Sequence, residues 1–488
     1  KKKNFPTMYP APSPLRAAAV LVGRGGLRAT PTGARRMLRA TAITASASFS
    51  PSAGGRRISD YSKYLSPPSS RRRPSAIRKL APLLKRPGMV SLGGGLPNPS
   101  TFPFKSLRIG VLTSPLPLGG DETQEEVMVE LTPSELAEAL QYSPTPGLPS
   151  LVSELKDLQN REHGVGFHTD GGGYGLSVTA GSQDGLTRAF EMLLDPHGGS
   201  DEIFLESPTY SGALAFLKPF GVKMTPVESD RGGLIPDSLR RALESSVSKG
   251  RKVLYVIPTA QNPSGSTMDE GRRRETYHLA SEHDLIILED DPYYFLHPCR
   301  SELGSFLSMD DDGRVLRFDS MSKVLSSGLR VGFVTGPEPL MERLNYHTQA
   351  TSLHNSGVSQ ILVQKLLEQW GPNGLNAHAR AVAEFYSQRR DALLSAADRN
   401  LAGLAEWEAP EAGMFLWIRL LGVDNAKSLV EEKAARYRVL FVPGQEFDPL
   451  DRPGPYVRVS YSTATDEEMD IAMERLARLI REEVGGVK

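Results

Sequence analysis

Between residues 176 and 320 the chain keeps a rhythm that narrows its possible folds more than any other feature. Short, almost wholly apolar runs end in polar turns and alternate with segments of helical spacing. Asp201-Glu202-Ile203-Phe204-Leu205-Glu206, Lys252-Val253-Leu254-Tyr255-Val256-Ile257 and Asp284-Leu285-Ile286-Ile287-Leu288-Glu289 are such runs, and Leu186, Phe190, Leu193 and Leu194 show the helical spacing between them. A strand that is apolar at every position has both faces buried, and strands alternating with helices build a parallel sheet covered on both sides. The expected fold class is α/β, a mostly parallel sheet in a large domain sandwiched by helices.

After about Glu338 the pattern turns helical, through Leu362 to Trp370 and Ala377 to Asp398. Strand-like runs follow at Gly413–Ile418, Val439–Val442 and Tyr456–Tyr461. A last helix begins at Thr465, where Glu468 completes a capping box, and Met469, Ala472, Leu476, Leu479 and Ile480 share one face. This is a second, smaller α+β domain. The expected division is an extension over 1–65, an arm and part of the small domain over 66–107, the large domain over 108–350, and the C-terminal small domain over 351–488.

The beginning of the chain departs from this rhythm. From Lys1 to Gly120 the one acidic residue is Asp60, and the first sixty positions are rich in Arg, Ala, Ser, Thr and Pro. Such composition reads as an organellar transit peptide or as a disordered basic tail, which composition does not separate. The mitochondrion is the expected destination, with plastid or cytoplasm as alternatives. Met89-Val90-Ser91-Leu92 reads as a short strand entering a Gly/Pro turn, and 108–130 as a surface insertion. The 57 basic residues balance 57 acidic ones, so charge gives no reason to expect nucleic acid or an anionic membrane as partner. The single cysteine, Cys299, excludes an internal disulfide and a multi-cysteine metal site, and no metal is expected. Neither G-x-G-x-x-G nor G-x-x-x-x-G-K-[ST] occurs.

Parallel sheets keep their functional residues in the loops after the strands' carboxyl ends, and the unusual residues of this chain lie there. In Asp319-Ser320-Met321-Ser322-Lys323, with Gly328-Leu329-Arg330 close behind, a lysine stands ready to meet an aldehyde while serines and an arginine grip an anion. A merely basic turn fits the same residues. At Thr179-Ala180-Gly181-Ser182-Gln183 a strand turns into a helix whose free N–H groups suit a phosphate, or which Ser182 simply caps. Asn262, in Gln261-Asn262-Pro263-Ser264-Gly265, serves either a turn or a cofactor oxygen. In Glu289-Asp290-Asp291-Pro292-Tyr293-Tyr294 a carboxylate at a buried strand end needs a partner, which a protonated ring nitrogen would supply; capping and turn formation are the plainer uses. Arg458, between Val457 and Val459, projects from the opposite strand face, where it is either solvated or a carboxylate clamp. Together these are the parts that pyridoxal phosphate needs to act on amino acids.

Several stretches carry a resemblance: Pro74-Ser75-Ala76-Ile77-Arg78, Gly94-Gly95-Leu96-Pro97-Asn98-Pro99, Tyr142-Ser143-Pro144, Asp290–Leu296 and Ala412–Ile418. From about residue 74 to its end the chain resembles the class I/II, fold-type I aminotransferases. Within them it is similar to the mitochondrial kynurenine/2-aminoadipate subgroup, with the fungal aromatic aminotransferases as relatives. The resemblance implies that Lys323 bonds to the cofactor, Asp291 partners the ring nitrogen, Asn262 and Tyr294 donate to the ring oxygen, and Tyr210 stacks on the ring. It implies a phosphate grip of Ser182, Gln183, Ser320, Ser322 and Arg330, joined by Tyr142 from a neighbouring subunit, hence a homodimer with shared active sites. Arg458 is implied as the α-carboxylate clamp and Arg78 as the contact for a distal carboxylate, with Gly95 and Asn262 beside the substrate. The implied reaction is ping-pong transamination from 2-aminoadipate, kynurenine or an aromatic amino acid to 2-oxoglutarate. A lyase or decarboxylase on the same scaffold is the nearer rival. A non-catalytic pyridoxal-phosphate-binding regulator is the farther one, and no helix-turn-helix pattern supports it.

Overall fold

The computed structural model describes residues 57–75, 79–80, 83, 86–90, 92–93, 95–112, 126–167 and 173–485. The expected transit segment up to residue 56, Arg78 and the middle of the 108–130 insertion lie outside the described residues. The flanks of that insertion, β1 (Arg108–Leu112) and β2 (Glu126–Glu130), pair as an antiparallel ribbon.

Eight strands form the main sheet: β3 (Tyr174–Thr179), β4 (Glu202–Ser207), β5 (Lys223–Asp230), β6 (Gly233–Leu234), β7 (Lys252–Val256), β8 (Ile286–Asp290), β9 (Val315–Ser320) and β10 (Gly332–Pro337). Their order is β3-β10-β9-β8-β7-β4-β5-β6. The run from β9 to β5 is parallel throughout, while β10 is antiparallel to both of its neighbours and β6 is antiparallel to β5. The mostly parallel, doubly covered sheet read from the apolar runs is therefore present. One face packs Ile286, Leu288, Val253 and Tyr255 under the helices Ser182–Leu193 and Ser211–Phe220. The other packs Ile287, Leu254 and Val256 against the helices Pro236–Ser245 and Glu270–Glu282.

A separate core joins the C-terminal helix Asp466–Gly485 to a four-stranded antiparallel sheet of β11 (Ala405–Trp407), β12 (Phe415–Leu420), β13 (Val442–Pro443) and β14 (Tyr456–Ser460). The capping box stands as read: the Thr465 N–H donates to Glu468 Oε2 at 2.7 Å and the Glu468 N–H to Thr465 Oγ1 at 3.1 Å. Val439-Leu440-Phe441 stays outside the sheet, where only Val442–Pro443 pair.

Two readings near the chain's beginning need correction. The fold starts before residue 65: Tyr61, Tyr64 and Leu65 are buried in the main core, and the Tyr61 hydroxyl donates to the Gly313 carbonyl at 2.7 Å. Basic composition hid three apolar anchors. The expected strand around Met89-Val90 is not formed among the described residues. Instead Val90 and Leu92 are 84% and 98% exposed, in backbone without regular structure.

Candidate active site

Strand phase decides which side chains meet. Along β8, Ile286 and Leu288 point into one core and Ile287 into the other, so the two-residue period carries Asp290 to the first face and Glu289 and Asp291 to the second. Asp290 accepts from the Tyr255 hydroxyl at 2.8 Å through Oδ2, and its buried Oδ1 has no partner. Burial pushes its carboxyl up to about 7, against the pull of the Tyr255 hydrogen bond. Asp291 faces away from it, with Oδ2 at 3.0 Å from Arg317 and 3.2 Å from the Thr259 hydroxyl.

The tyrosines follow the same split. Tyr293 is hydrogen-bonded with Asn262 and lies within electrostatic reach of Asp290, Arg458 and Tyr210. Tyr294 turns behind the sheet, where its hydroxyl donates to Glu162 at 3.1 Å and its ring lies under Arg317. The expected ring-nitrogen partner Asp291 and ring-oxygen donor Tyr294 are thus one residue out of phase. Asp290 and Tyr293 occupy the face that Lys323, Arg458 and Tyr210 share.

That face has an anion cup at one side. Gly181 (φ +86°) leads into the helix Ser182–Leu193 with no side chain capping its first N–H groups, so they remain available to an anion. Arg330 closes over this helix start. Its Nη2 donates to the Ala180 carbonyl at 2.7 Å and its Nη1 reaches Ser322 Oγ at 3.4 Å. A Cβ on residue 181 would sit 2.4 Å from that guanidinium, so glycine is required by both backbone and space. The Ser322 N–H donates to Ser320 Oγ at 3.2 Å, and Gln183 Nε2 donates to the Gly212 carbonyl at 2.9 Å. Asp184, the acid of the first helical turn, accepts from the Ala180 N–H and from Arg188 instead of facing the cup.

Lys323 is half-buried. Burial, then Arg458 and Arg330, hold its amine below the ordinary lysine range. Arg458 behaves as its strand position implied: Val457 and Val459 enter the core of the smaller sheet while the guanidinium crosses to the opposite face. Arg458 Nη1 donates to Asn262 Oδ1 at 2.8 Å, and the group stacks over Phe415 and Phe447 at 4.1 and 4.9 Å from the ring centroids. Its buried Nε has no partner. A separate cleft of about 1260 Å³, lined by Trp407, Trp417, Tyr456 and Arg452, includes none of Lys323, Asp290, Arg330 and Arg458.

Two expected residues are not brought to this cluster within the chain. Tyr142 is half exposed beside His354, and Gly95 is exposed with nothing within 4 Å of an added Cβ. The sequence reading found the right motif but took Asp291 and Tyr294 where the site face holds Asp290 and Tyr293, and it gave Tyr255, Phe415 and Phe447 no role. Tyr255 lies inside an apolar strand, so no local signal marks it.

Pyridoxal phosphate fits this arrangement. The uncapped helix start and Arg330 suit its phosphate, the unpartnered Asp290 Oδ1 suits a ring N–H, and the Lys323 amine suits its aldehyde. The family model for class I and II aminotransferases matches residues 116–476. The protein named kynurenine/alpha-aminoadipate aminotransferase, mitochondrial, from Bos taurus is 42% identical over 437 residues, which is 87% of this chain and 99% of that one. Aminotransferase Aro8 from Candida albicans superposes with a TM-score of 0.78 at 28% identity, over 88% of this chain and all of its own. LysN, an alpha-aminoadipate aminotransferase from Thermus thermophilus complexed with N-(5'-phosphopyridoxyl)-L-leucine, gives a TM-score of 0.63 at 28% identity, over 71% and 85% of the two chains. The chain therefore belongs to the class I and II aminotransferases and is a pyridoxal-phosphate-dependent enzyme of transamination.

Proposed function

We propose that this enzyme moves the amino group of 2-aminoadipate, kynurenine or an aromatic amino acid to 2-oxoglutarate in a ping-pong sequence, with Lys323 and Arg458 at its centre. The observation that carries the reading is the pairing of a half-buried lysine with a half-buried arginine whose Nε lacks a partner. The donor classes follow the names of the bovine and Thermus relatives.

Pyridoxal phosphate, when bound, supplies the aldehyde and an electron-withdrawing ring. The depressed basicity of Lys323 leaves more of its amine unprotonated near neutrality, so it would hold the cofactor's aldehyde and, once the substrate's own amine has displaced it, would move a proton at the substrate Cα. Arg458 takes the α-carboxylate, its plane held by Asn262 and by the rings of Phe415 and Phe447. Asp290 would hold the proton of the ring nitrogen, Asn262 and Tyr293 would donate to the ring oxygen, and Tyr210 would cover the ring. The helix start at Ser182, with Gln183, Ser320, Ser322 and Arg330, would grip the phosphate. On the same reading Arg78 meets the distal carboxylate of a dicarboxylic donor beside Gly95.

The proposed assembly is a homodimer in which Tyr142 completes the partner's phosphate grip. Exposed apolar side chains at Met89, Val90, Leu92, Leu96 and Phe104, among the described residues between 86 and 112, support a covering second copy. The proposed compartment is the mitochondrion, supported by the acid-poor, Arg-rich leading residues and by the bovine relative's name. Among the described residues no helix is long and apolar enough to cross a membrane.

A donor panel of 2-aminoadipate, kynurenine, tyrosine and aspartate with 2-oxoglutarate tests the substrate. Strong preference for aspartate would overturn it. Lys323→Ala should lower turnover by roughly 10³-fold or more and abolish the visible absorbance of lysine-bound cofactor. Retained turnover would remove Lys323 from the mechanism.

A further inference from the structure

We propose that Tyr255 is the positioning residue for Asp290, holding that carboxyl in one orientation for the cofactor ring. The inference rests on the reading of Asp290 as the ring-nitrogen partner.

Tyr255 is fully buried on β7, its ring edge-on to Phe190 at 6.0 Å in the main core. That packing leaves the phenol a single direction, and its hydroxyl reaches Asp290 Oδ2 at 2.8 Å across the β7–β8 pair. A phenol buried beside a carboxylate is held far above its ordinary range, so it donates and does not accept a negative charge. With Oδ2 engaged, the remaining buried acceptor is Oδ1, the atom without a partner.

Two consequences follow. Donation to Oδ2 favours the ionised carboxyl, so its loss raises the pH at which Asp290 gives up its proton. The same loss frees the carboxyl to rotate, so the Oδ1 acceptor is no longer fixed. The other groups facing Asp290 do not replace the phenol. Tyr210 and Tyr293 lie on its own side, Asp291 is adjacent in sequence, Arg317 and Asp319 come from β9, and Glu206 of β4 lies beyond Tyr255. Among the described residues none of them shows a direct hydrogen bond to Asp290.

The test measures the pyridoxal phosphate dissociation constant of the full-length enzyme between pH 6 and pH 9, by the absorbance of bound cofactor. Tyr255→Phe is compared with Tyr277→Phe, which removes another buried phenol bonded to an aspartate, Asp310, on the opposite core. Tyr255→Phe should weaken binding about tenfold near pH 6.5, with the gap narrowing as pH rises and Asp290 ionises in both proteins. Tyr277→Phe should leave the constant within twofold, and in an Asp290→Asn background Tyr255→Phe should add nothing. A Tyr255→Phe profile that overlays the unmodified enzyme, or an equal loss in Tyr277→Phe, overturns the proposal. If Asp290→Asn itself binds cofactor normally, the assignment of Asp290 fails and this inference with it. An Asp290 effect without a Tyr255 effect sinks the inference alone. If Tyr255→Phe does not fold, Tyr255→Met in both backgrounds gives the same cycle.

Discussion

Asp290 with Tyr293 and Asp291 with Tyr294 are the same chemical pair displaced by one residue, and the sheet puts them in opposite surroundings. Each aspartate is buried and each keeps one oxygen without a partner, so spare hydrogen-bonding capacity does not tell them apart. Their companions do. Asp290 has a neutral phenol against it, whereas Asp291 shares Arg317 with Glu289 and Asp319 at 2.9–3.0 Å. Burial opposes the charge on Arg317, but Asp319, Glu289 and Asp291 together hold it well above the ordinary arginine range. A carboxylate locked onto a fixed guanidinium serves the architecture. One held only by a neutral donor remains open to a cation that comes and goes.

Substitution of the acids should separate the two sides most widely. Asp290→Asn should lower kcat/KM by roughly 10²–10³-fold while leaving the urea midpoint near that of the unmodified enzyme. Asp291→Asn should cost about 1–3 kcal/mol of stability with per-molecule activity within a few-fold. Equal activity losses would erase the distinction.

A pH experiment asks whether another buried carboxylate without a cation partner, Glu206 of β4, behaves unlike the acids bound to Arg317. Glu206, fully buried near Tyr255, is pushed up to about 8 by burial, against hydrogen bonds from the Ile257 N–H and Gln261. Its folded pKa lies above its unfolded value of 4.5, so the folded state binds the proton more tightly. Stability then falls as pH rises from about 4.5 to about 8 and is flat beyond. Glu206→Gln lacks this term, so its thermal midpoint relative to the unmodified apoprotein should climb over that interval, by the equivalent of roughly 2–4 kcal/mol. An unchanged difference would mean that a buried carboxylate without a cation is held as comfortably as those around Arg317.

The tyrosines should give the smallest contrast. Tyr293→Phe should move the absorbance maximum of bound cofactor and leave folding stability almost untouched. Tyr294→Phe should lose about 1 kcal/mol with its bond to Glu162 and leave the spectrum alone. Reversed results would return the ring-oxygen role to Tyr294.

Why the motif was readable and its phase was not follows from burial. Arg458 could be aimed from the chain alone because Val457 and Val459 flank it in a half-exposed sheet, so alternation revealed its face. Every position of β8 is buried, and Ile286-Ile287-Leu288 offers no alternation by which to choose between successive aspartates. The same uniformity concealed Tyr255, whose partner lies 35 residues away in the neighbouring strand. Arg317 carries no mark in the chain alone, because the three carboxylates that justify its burial come from two strand ends that only the sheet brings together.

That guanidinium ties the carboxyl end of β8 to that of β9, behind the two turns that present Asp290 and Lys323. The spacing between acid and amine is thus set by an ionic bolt at the rear, independently of anything seated in front. These pairs are made within the chain alone, so seating a coenzyme in front should need little rearrangement of the two strands.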